Sequence, residues 1–326
     1  MVRSRQSAMV STLFALLLMV AQASSPAAER KFELRGQIEP PARAAVSLYG
    51  AITPFMASAA SDASGRFRFR NLAPGAYTVS VTVPGRGEVR QTIEVGPSLA
   101  DSEGRVSLTI PFQPSAVAAS EAIERKHGVS VRQLRIPDRA QREYQQAQQK
   151  LSDRDVAGAI RHMERAVELA PHFVEVWNHL GTIAYQSSRY PEAEKYFRKA
   201  LEQDAGAYSP LVNLGGVLLN LKRYPEALAY NKEAVRQRPD DALAQSQLGM
   251  NYFWLGDEEQ ALKHLTTARQ LDPAHFSHPQ MLLAEIYLRR NDRAAAIREL
   301  EDYLARHPDA PNAEAVRRGI ERLKQP

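Results

Sequence analysis

Cysteine is absent from all 326 residues. That excludes disulfides, thiolate metal sites, a catalytic thiol and a lipidated cysteine behind any leader, so whatever folds here must hold by core packing. Aromatic residues are few, at 7%, beside an ordinary hydrophobic share of 44%. Charge of one sign is not concentrated either. The 42 basic and 37 acidic residues leave a net +5, too little and too evenly spread to point to nucleic acid. Catalytic signatures are missing as well: no HExxH, no G-x-S-x-G, no phosphate-cradling Gly loop and no Ser/Lys dyad. The histidines stand apart at His127, His162, His172, His179, His264, His275, His278 and His307, with no carboxylate pair at ligand spacing. The nearest two, His275 and His278, fall in "PAHFSHP", which reads as a solvated loop rather than a metal site. Neither an enzyme nor a cofactor or metal is expected.

Long apolar runs are also scarce. The one candidate, Met9 to Val20, follows Arg3 and Arg5 and ends at Ala21-Gln22-Ala23, a small-x-small cleavage pattern. It falls well short of the roughly 20 residues that span a bilayer. Residues 1–23 are therefore read as a cleaved secretory signal, with a retained anchor as the weaker alternative. The mature protein is expected to be exported, periplasmic or secreted, and to keep no membrane span. A leader of this form on a Cys-free chain fits a bacterial envelope.

From about Phe32 to Phe112 the periodicity is two. Phe67 and Phe69 alternate with Arg66, Arg68 and Arg70, and Tyr77, Val79, Val81 and Val83 alternate with Thr78, Ser80 and Thr82, as in strands with one buried face. The stretches "SDASG", "APG", "PGRG" and "DSEG" supply the turns. Six or seven short strands at this spacing predict a small antiparallel sandwich over residues 29–113. The run "SDASGRFRFRNLAPGAYTVSVTVPG" also resembles the carboxypeptidase regulatory-like, transthyretin-like domain, through Asp62, Gly65, Phe67, Phe69, Leu72, Pro74, Gly75 and Tyr77. The resemblance implies an accessory module that docks on neighbours, sugars or membranes.

Residues 114–138 change character, with "PSAVAAS" small and polar and "EAIERKHG" mixed and charged. They read as a linker with one short helix; "VSVRQLRIP" could instead dock as a strand. Beyond it the chain repeats. Trp177, Leu180 and Gly181 recur as Leu211, Leu214 and Gly215 and again as Gln245, Leu248 and Gly249, at an offset of 34. Ala193, Ala227 and Ala261 keep the same step, as do Ala200, Ala234 and Ala268. This period resembles the tetratricopeptide repeat, a helix-turn-helix unit. Residues 139–310 then hold five units, at 140–173, 174–207, 208–241, 242–275 and 277–310, with a polar capping helix in 311–326. The expected fold class is multidomain: an all-β sandwich followed by an all-α solenoid.

"NLGGVLLNLKRYPEALAY" puts two glycines and a proline into one such unit. Gly215 is expected to let the two helices of the unit approach, and Pro225 to occupy the first turn of the second helix, where its missing N–H costs nothing. Gly216 either opens space on the concave wall or is a tolerated surface glycine.

The resemblance implies a concave groove lined by the first helix of each unit. By repeat position its wall is Tyr185, Leu219, Phe253 and Leu288, with Asn178, Thr182, Asn213, Ser246, Met250, Trp254, Met281 and Glu285 as neighbours. Part of that stripe could equally pack between helices as core. If exposed, it suits an apolar peptide or helix anchored by Met250, Phe253 and Trp254. Family members that clamp a C-terminal carboxylate use lysine and arginine here; Gln186, Asn220 and Trp254 stand in those places. The expected function is thus a non-catalytic exported scaffold that holds a protein or peptide partner. The alternative is recognition of an envelope component or glycan through the sandwich, although its seven rings mostly alternate inward.

Overall fold

The computed structural model describes residues 30–113 and 136–325. The expected leader within residues 1–23, the "EAIERKHG" segment and residues 129–135 of "VSVRQLRIP" lie outside the described residues. The first described region is seven strands: β1 Phe32–Glu39, β2 Ala45–Gly50, β3 Met56–Ala60, β4 Arg66–Leu72, β5 Gly75–Val83, β6 Gly87–Val95 and β7 Arg105–Pro111. They form two sheets, ordered β4-β1-β7 and β3-β2-β5-β6. All neighbours run antiparallel except β1 and β7. Alternation sends Leu34, Ile38, Leu48, Phe67, Phe69, Val79, Val81 and Ile110 into one hydrocarbon core between the sheets. Gly36 is needed there, because a β-carbon would sit 1.9 Å from Cζ of Phe67.

Two aspartate-x-x-glycine turns bound β4 and β7. Asp62 accepts the N–H groups of Ser64 and Arg66 at 2.8 and 2.9 Å, and Asp101 those of Glu103 and Arg105 at 2.9 Å each. Gly65 and Gly104 follow at φ 77°, in the left-handed region glycine tolerates.

Eleven helices follow among the described residues: α1 Asp138–Ser152, α2 Val156–Leu169, α3 Val174–Gln186, α4 Tyr190–Gln203, α5 Tyr208–Asn220, α6 Tyr224–Gln237, α7 Ala242–Leu255, α8 Glu258–Leu271, α9 Pro279–Arg289, α10 Arg293–Arg306 and α11 Ala313–Lys324. They pair as antiparallel hairpins, odd with the following even, up to α10. The alanines at the repeated positions are fully buried at the crossings, including Ala193, Ala227 and Ala261. Glycine opens the first helices α3, α5 and α7 to their partners: a β-carbon on Gly181 would meet Phe197, on Gly215 Asn231, and on Gly249 Leu265, all closer than 3.0 Å; α1 and α9 carry Ala147 and Ala284 at that position. Pro191 and Pro225 lie in the first turns of α4 and α6. The last helix, α11, lays Val316 and Ile320 on the cluster of Leu300 and Tyr303 and turns its charged face outward.

Gly216 takes neither of the two roles expected for it. It is buried, and a β-carbon would stand 2.5 Å from Nε2 of Gln247, so the glycine makes room for an amide of the next repeat.

Candidate partner-binding surface

Helices α5 and α7 are enclosed on nearly every side. Every residue from Leu214 to Leu219 is buried, as is every residue from Ala244 to Gly249. Neighbouring units therefore consume most of the apolar stripe. Leu219 packs with Phe197, Leu214 and Val217. Phe253, 3% exposed, joins Leu265, Leu283 and Ile286. Tyr185 and Leu288 remain half-buried, Met250 bridges two of the core clusters, and Met281 lies on the terminal one.

One residue further along each first helix the picture changes. Trp254 is 49% exposed, stacked on Tyr224 with ring centres 5.9 Å apart and planes 11° apart, and met edge-on by Phe253 at 5.1 Å. Its neighbour Leu255 is exposed too. Asn220 is exposed and donates to the Tyr185 hydroxyl at 3.0 Å and to the Gly216 carbonyl at 2.9 Å. The polar positions pair up across units: Asn213 donates to Asn178 at 2.9 Å, and Ser246 bonds Ser277 at 2.6 Å. Thr182 caps its own helix turn on the Asn178 carbonyl at 3.0 Å. Glu285 is buried and held by Arg289 at 2.5 Å, whose guanidinium covers the Phe253 ring at 4.6 Å. The geometry thus gathers Trp254, Leu255, Tyr224 and Asn220 at an open rim, with Leu219, Phe253 and Glu285 beneath it as support.

The sandwich is seated on the repeats, through contacts that sequence reasoning did not place. Gln186, the third member of the Asn220 and Trp254 row, donates to the Gly50 carbonyl at 2.8 Å. Tyr49 and Met56 join the core cluster of α1 to α3. Arg154 reaches the Tyr77 hydroxyl at 3.5 Å and lies 5.1 Å over Phe55. On the other flank Asp272 accepts the Thr92 N–H at 3.0 Å, Glu94 meets His307 at 3.3 Å, and Asp309 takes both the N–H and the hydroxyl of Ser98 at 3.0 and 2.6 Å. A signal for this existed on β2 and β5, whose outward residues Ser47, Tyr49, Thr78 and Ser80 all bear hydroxyls, although β6 adds Glu88, Arg90 and Glu94 to the same face. The hydroxyl-bearing part of that face desolvates at little cost when it is covered.

The loop "PAHFSHP" lies at this junction, which corrects its reading as solvated. His275 is 4% exposed and bonded to the Ser277 hydroxyl at 2.6 Å, and the His278 ring stands edge-on to His307 and Tyr303. Burial pushes His275 and His278 down to about 3 and the Asp272 carboxyl up to about 6. No group of three or more His, Asp or Glu among the described residues is placed to hold a metal ion. All rings of the sandwich are buried except Tyr49, which packs against the helices, so the domain offers no aromatic shelf for a sugar.

Residues 35–109 match the family model of the carboxypeptidase regulatory-like domain. Tetratricopeptide repeat models match residues 144–210, 184–248 and 255–320. The chain is a tetratricopeptide-repeat protein with an N-terminal carboxypeptidase regulatory-like domain. Among solved structures it is similar to PilW, a widely conserved type IV pilus biogenesis factor, at 19% identity and a TM-score of 0.51 over 57% of this chain and 86% of that one. It is also similar to MamA of Desulfovibrio magneticus RS-1, at 22% identity and a TM-score of 0.47 over 54% of this chain and 99% of that one. YrrB, a TPR protein with an unusual peptide-binding site, is 22% identical with a TM-score of 0.45, over 64% of this chain and 98% of that one. At such identities the likeness is one of fold. No curated protein matches the chain. Arrays of this fold are typically protein-interaction scaffolds, and no helix among the described residues is long and apolar enough to cross a membrane.

Proposed function

We propose that the protein is an exported, non-catalytic adaptor that holds a partner protein or peptide on its repeats, with Trp254 as the anchor of the contact. The observation that carries this reading is the contrast within one row of the solenoid. Gln186 is occupied by the sandwich, whereas Trp254 offers a half-exposed ring on a rigid Tyr224 stack. A preformed aromatic shelf gives binding energy at little entropic cost. Asn178, Tyr185, Asn213, Met250, Met281 and Leu288 extend the surface, and Leu219, Phe253 and Glu285 hold it from below. Export is supported by the arginine-led apolar run and its small-x-small end within residues 1–23.

The test uses the full chain. A photo-crosslinking residue at position 220 is expected to capture a defined protein adduct in envelope extract, and one at the exposed Arg236 is not. Trp254→Ala should weaken the binding read by the adduct at 220 by about 1 to 3 kcal/mol, roughly five- to 150-fold. An adduct of undiminished yield in that variant would remove Trp254 from the site.

A further inference from the structure

The free edge of the first sheet, which borders the α1 to α2 turn, carries a different feature. Among the described residues strand β4 is the end strand of its sheet and pairs only with β1. The Ile38 N–H bonds the Gly65 carbonyl at 3.0 Å. With the two-residue alternation of an antiparallel ladder, this turns the backbone of Phe67 and Phe69 toward β1 and that of Arg66 and Arg68 to the open edge. The Arg66 carbonyl is taken by the Asp62 N–H at 2.9 Å, so among the described residues Arg68 presents the first donor and acceptor without a backbone partner. Beside it runs a slot of about 390 Å³, floored by Phe55, Ala57 and Phe69 and closed on the far side by Ser152 and Asp153 of the α1 to α2 turn.

The charge along this edge is unbalanced. Arg66 is held by Asp62 at 3.2 Å, and Arg35 and Arg70 share Glu33 at 2.5 and 3.3 Å. Arg68 makes no ion pair among the described residues, and it stands directly opposite Arg35 across the sheet. Like charges at opposed positions destabilise a sheet. Asp153 is the one acid in the slot lining, and its carboxylate receives the Gln149 amide at 3.1 Å.

We propose that the β4 edge is a second interaction surface, which adds an extended acidic peptide as a further strand with its carboxylates on Arg68 and Arg70. Free backbone groups supply the pairing, the slot supplies room for the inward side chains, and the unpaired guanidinium selects the charge. A second copy of this chain is a poor occupant, because its own arginine edge would be repelled. An anionic polysaccharide would satisfy the arginines and leave the backbone groups unmet.

Fluorescence anisotropy on the full chain tests this with a labelled octapeptide alternating Glu and Thr, its Lys-Thr counterpart, and a Glu-Thr peptide N-methylated at alternate residues. The Glu-Thr peptide is expected to bind at least tenfold tighter than either of the others. Arg68→Glu, at an exposed position, should weaken it at least tenfold while improving the Lys-Thr peptide, with Arg68→Gln intermediate and unchanged melting as the fold control. Absence of Glu-Thr binding, equal binding of the N-methylated peptide, or indifference to Arg68→Glu each overturns the proposal. Oligogalacturonate competing as well as the Glu-Thr peptide would overturn it too, by showing charge without strand pairing.

Discussion

The sandwich and the repeats fill their interiors with different chemistry. In the sandwich the buried polar residues are Ser61, Ser80 and Thr92, hydroxyls that cost little to satisfy. The repeats bury amides, imidazoles and carboxylates, among them Asn231, Gln247, Asn251, Asp272, His275, Glu299 and His307. Glycines create much of that room. Gly215 leaves space for Asn231, which donates to Asn251 at 3.1 Å, and Asn251 in turn donates to the Tyr224 carbonyl at 2.9 Å. A hydrocarbon core depends on volume alone, whereas an amide core also depends on partner geometry and, where ionisable groups enter, on pH. The repeats should therefore be the conditional half of the molecule.

The largest effects test whether the two cores are separate. Phe67→Ala and Phe197→Ala each remove a ring that is buried on all sides, at a cost of about 3 to 5 kcal/mol. Both tryptophans, Trp177 and Trp254, lie in the repeats, so urea unfolding followed by Trp fluorescence should move strongly for Phe197→Ala and weakly for Phe67→Ala. Equal shifts would mean one cooperative unit welded through the junction. Next in size is Asn231→Ala, which leaves the Asn251 oxygen without its donor and should lower the fluorescence midpoint by about 1 to 3 kcal/mol. A loss below about 0.5 kcal/mol would show the amide chain to be passive filling.

Much of this architecture was legible in sequence because it is periodic. Phe67 and Phe69 announce a strand by alternation, and Gly181, Gly215 and Gly249 announce a hairpin array by their common step. The candidate site was less legible. A repeat register aligns Tyr185, Leu219 and Phe253 but does not say which side of a first helix a neighbouring unit will cover, so the buried Phe253 and the exposed Trp254 look alike as adjacent aromatics. The junction was hidden for another reason. Thr92 and Asp272 are 180 residues apart, and Glu94 and His307 213 apart, with no local pattern to connect them.

The junction gives the comparison its pH test. Asp272 has a folded value raised to about 6 from an ordinary 3.8. Its contribution is thus present at low pH and lost as pH rises through about 6, leaving a buried charge that weakens the fold at neutral pH. The histidines run the other way: His275 and His278, lowered to about 3 from 6.5, support the fold above 6.5 and withdraw that support as pH falls. Asp272→Asn keeps an oxygen for the Thr92 N–H and removes only the charge. It should raise the melting temperature at pH 7.5, by an amount equivalent to about 1 to 3 kcal/mol, and the gain should vanish near pH 4. A constant offset across that range would assign the effect to packing.

The smallest effect separates the two kinds of glycine. Gly181→Ala and Gly216→Ala both gain about 1 kcal/mol of helix propensity, and both place a methyl 2.5 Å from a neighbouring atom. The neighbours differ in what they can do. At Gly181 it is the Phe197 ring, 1% exposed and fixed between helices, so overpacking should outweigh the propensity gain and leave a net loss of about 1 to 2 kcal/mol. At Gly216 it is the terminal nitrogen of Gln247, which can swing about its last torsions, so the net change should stay within about 0.5 kcal/mol. Parallel urea titrations of the two variants decide it. A loss at Gly216 as large as at Gly181 would mean that the Gln247 amide is held as rigidly as a ring, and that the amide core is as exacting in shape as the hydrocarbon one.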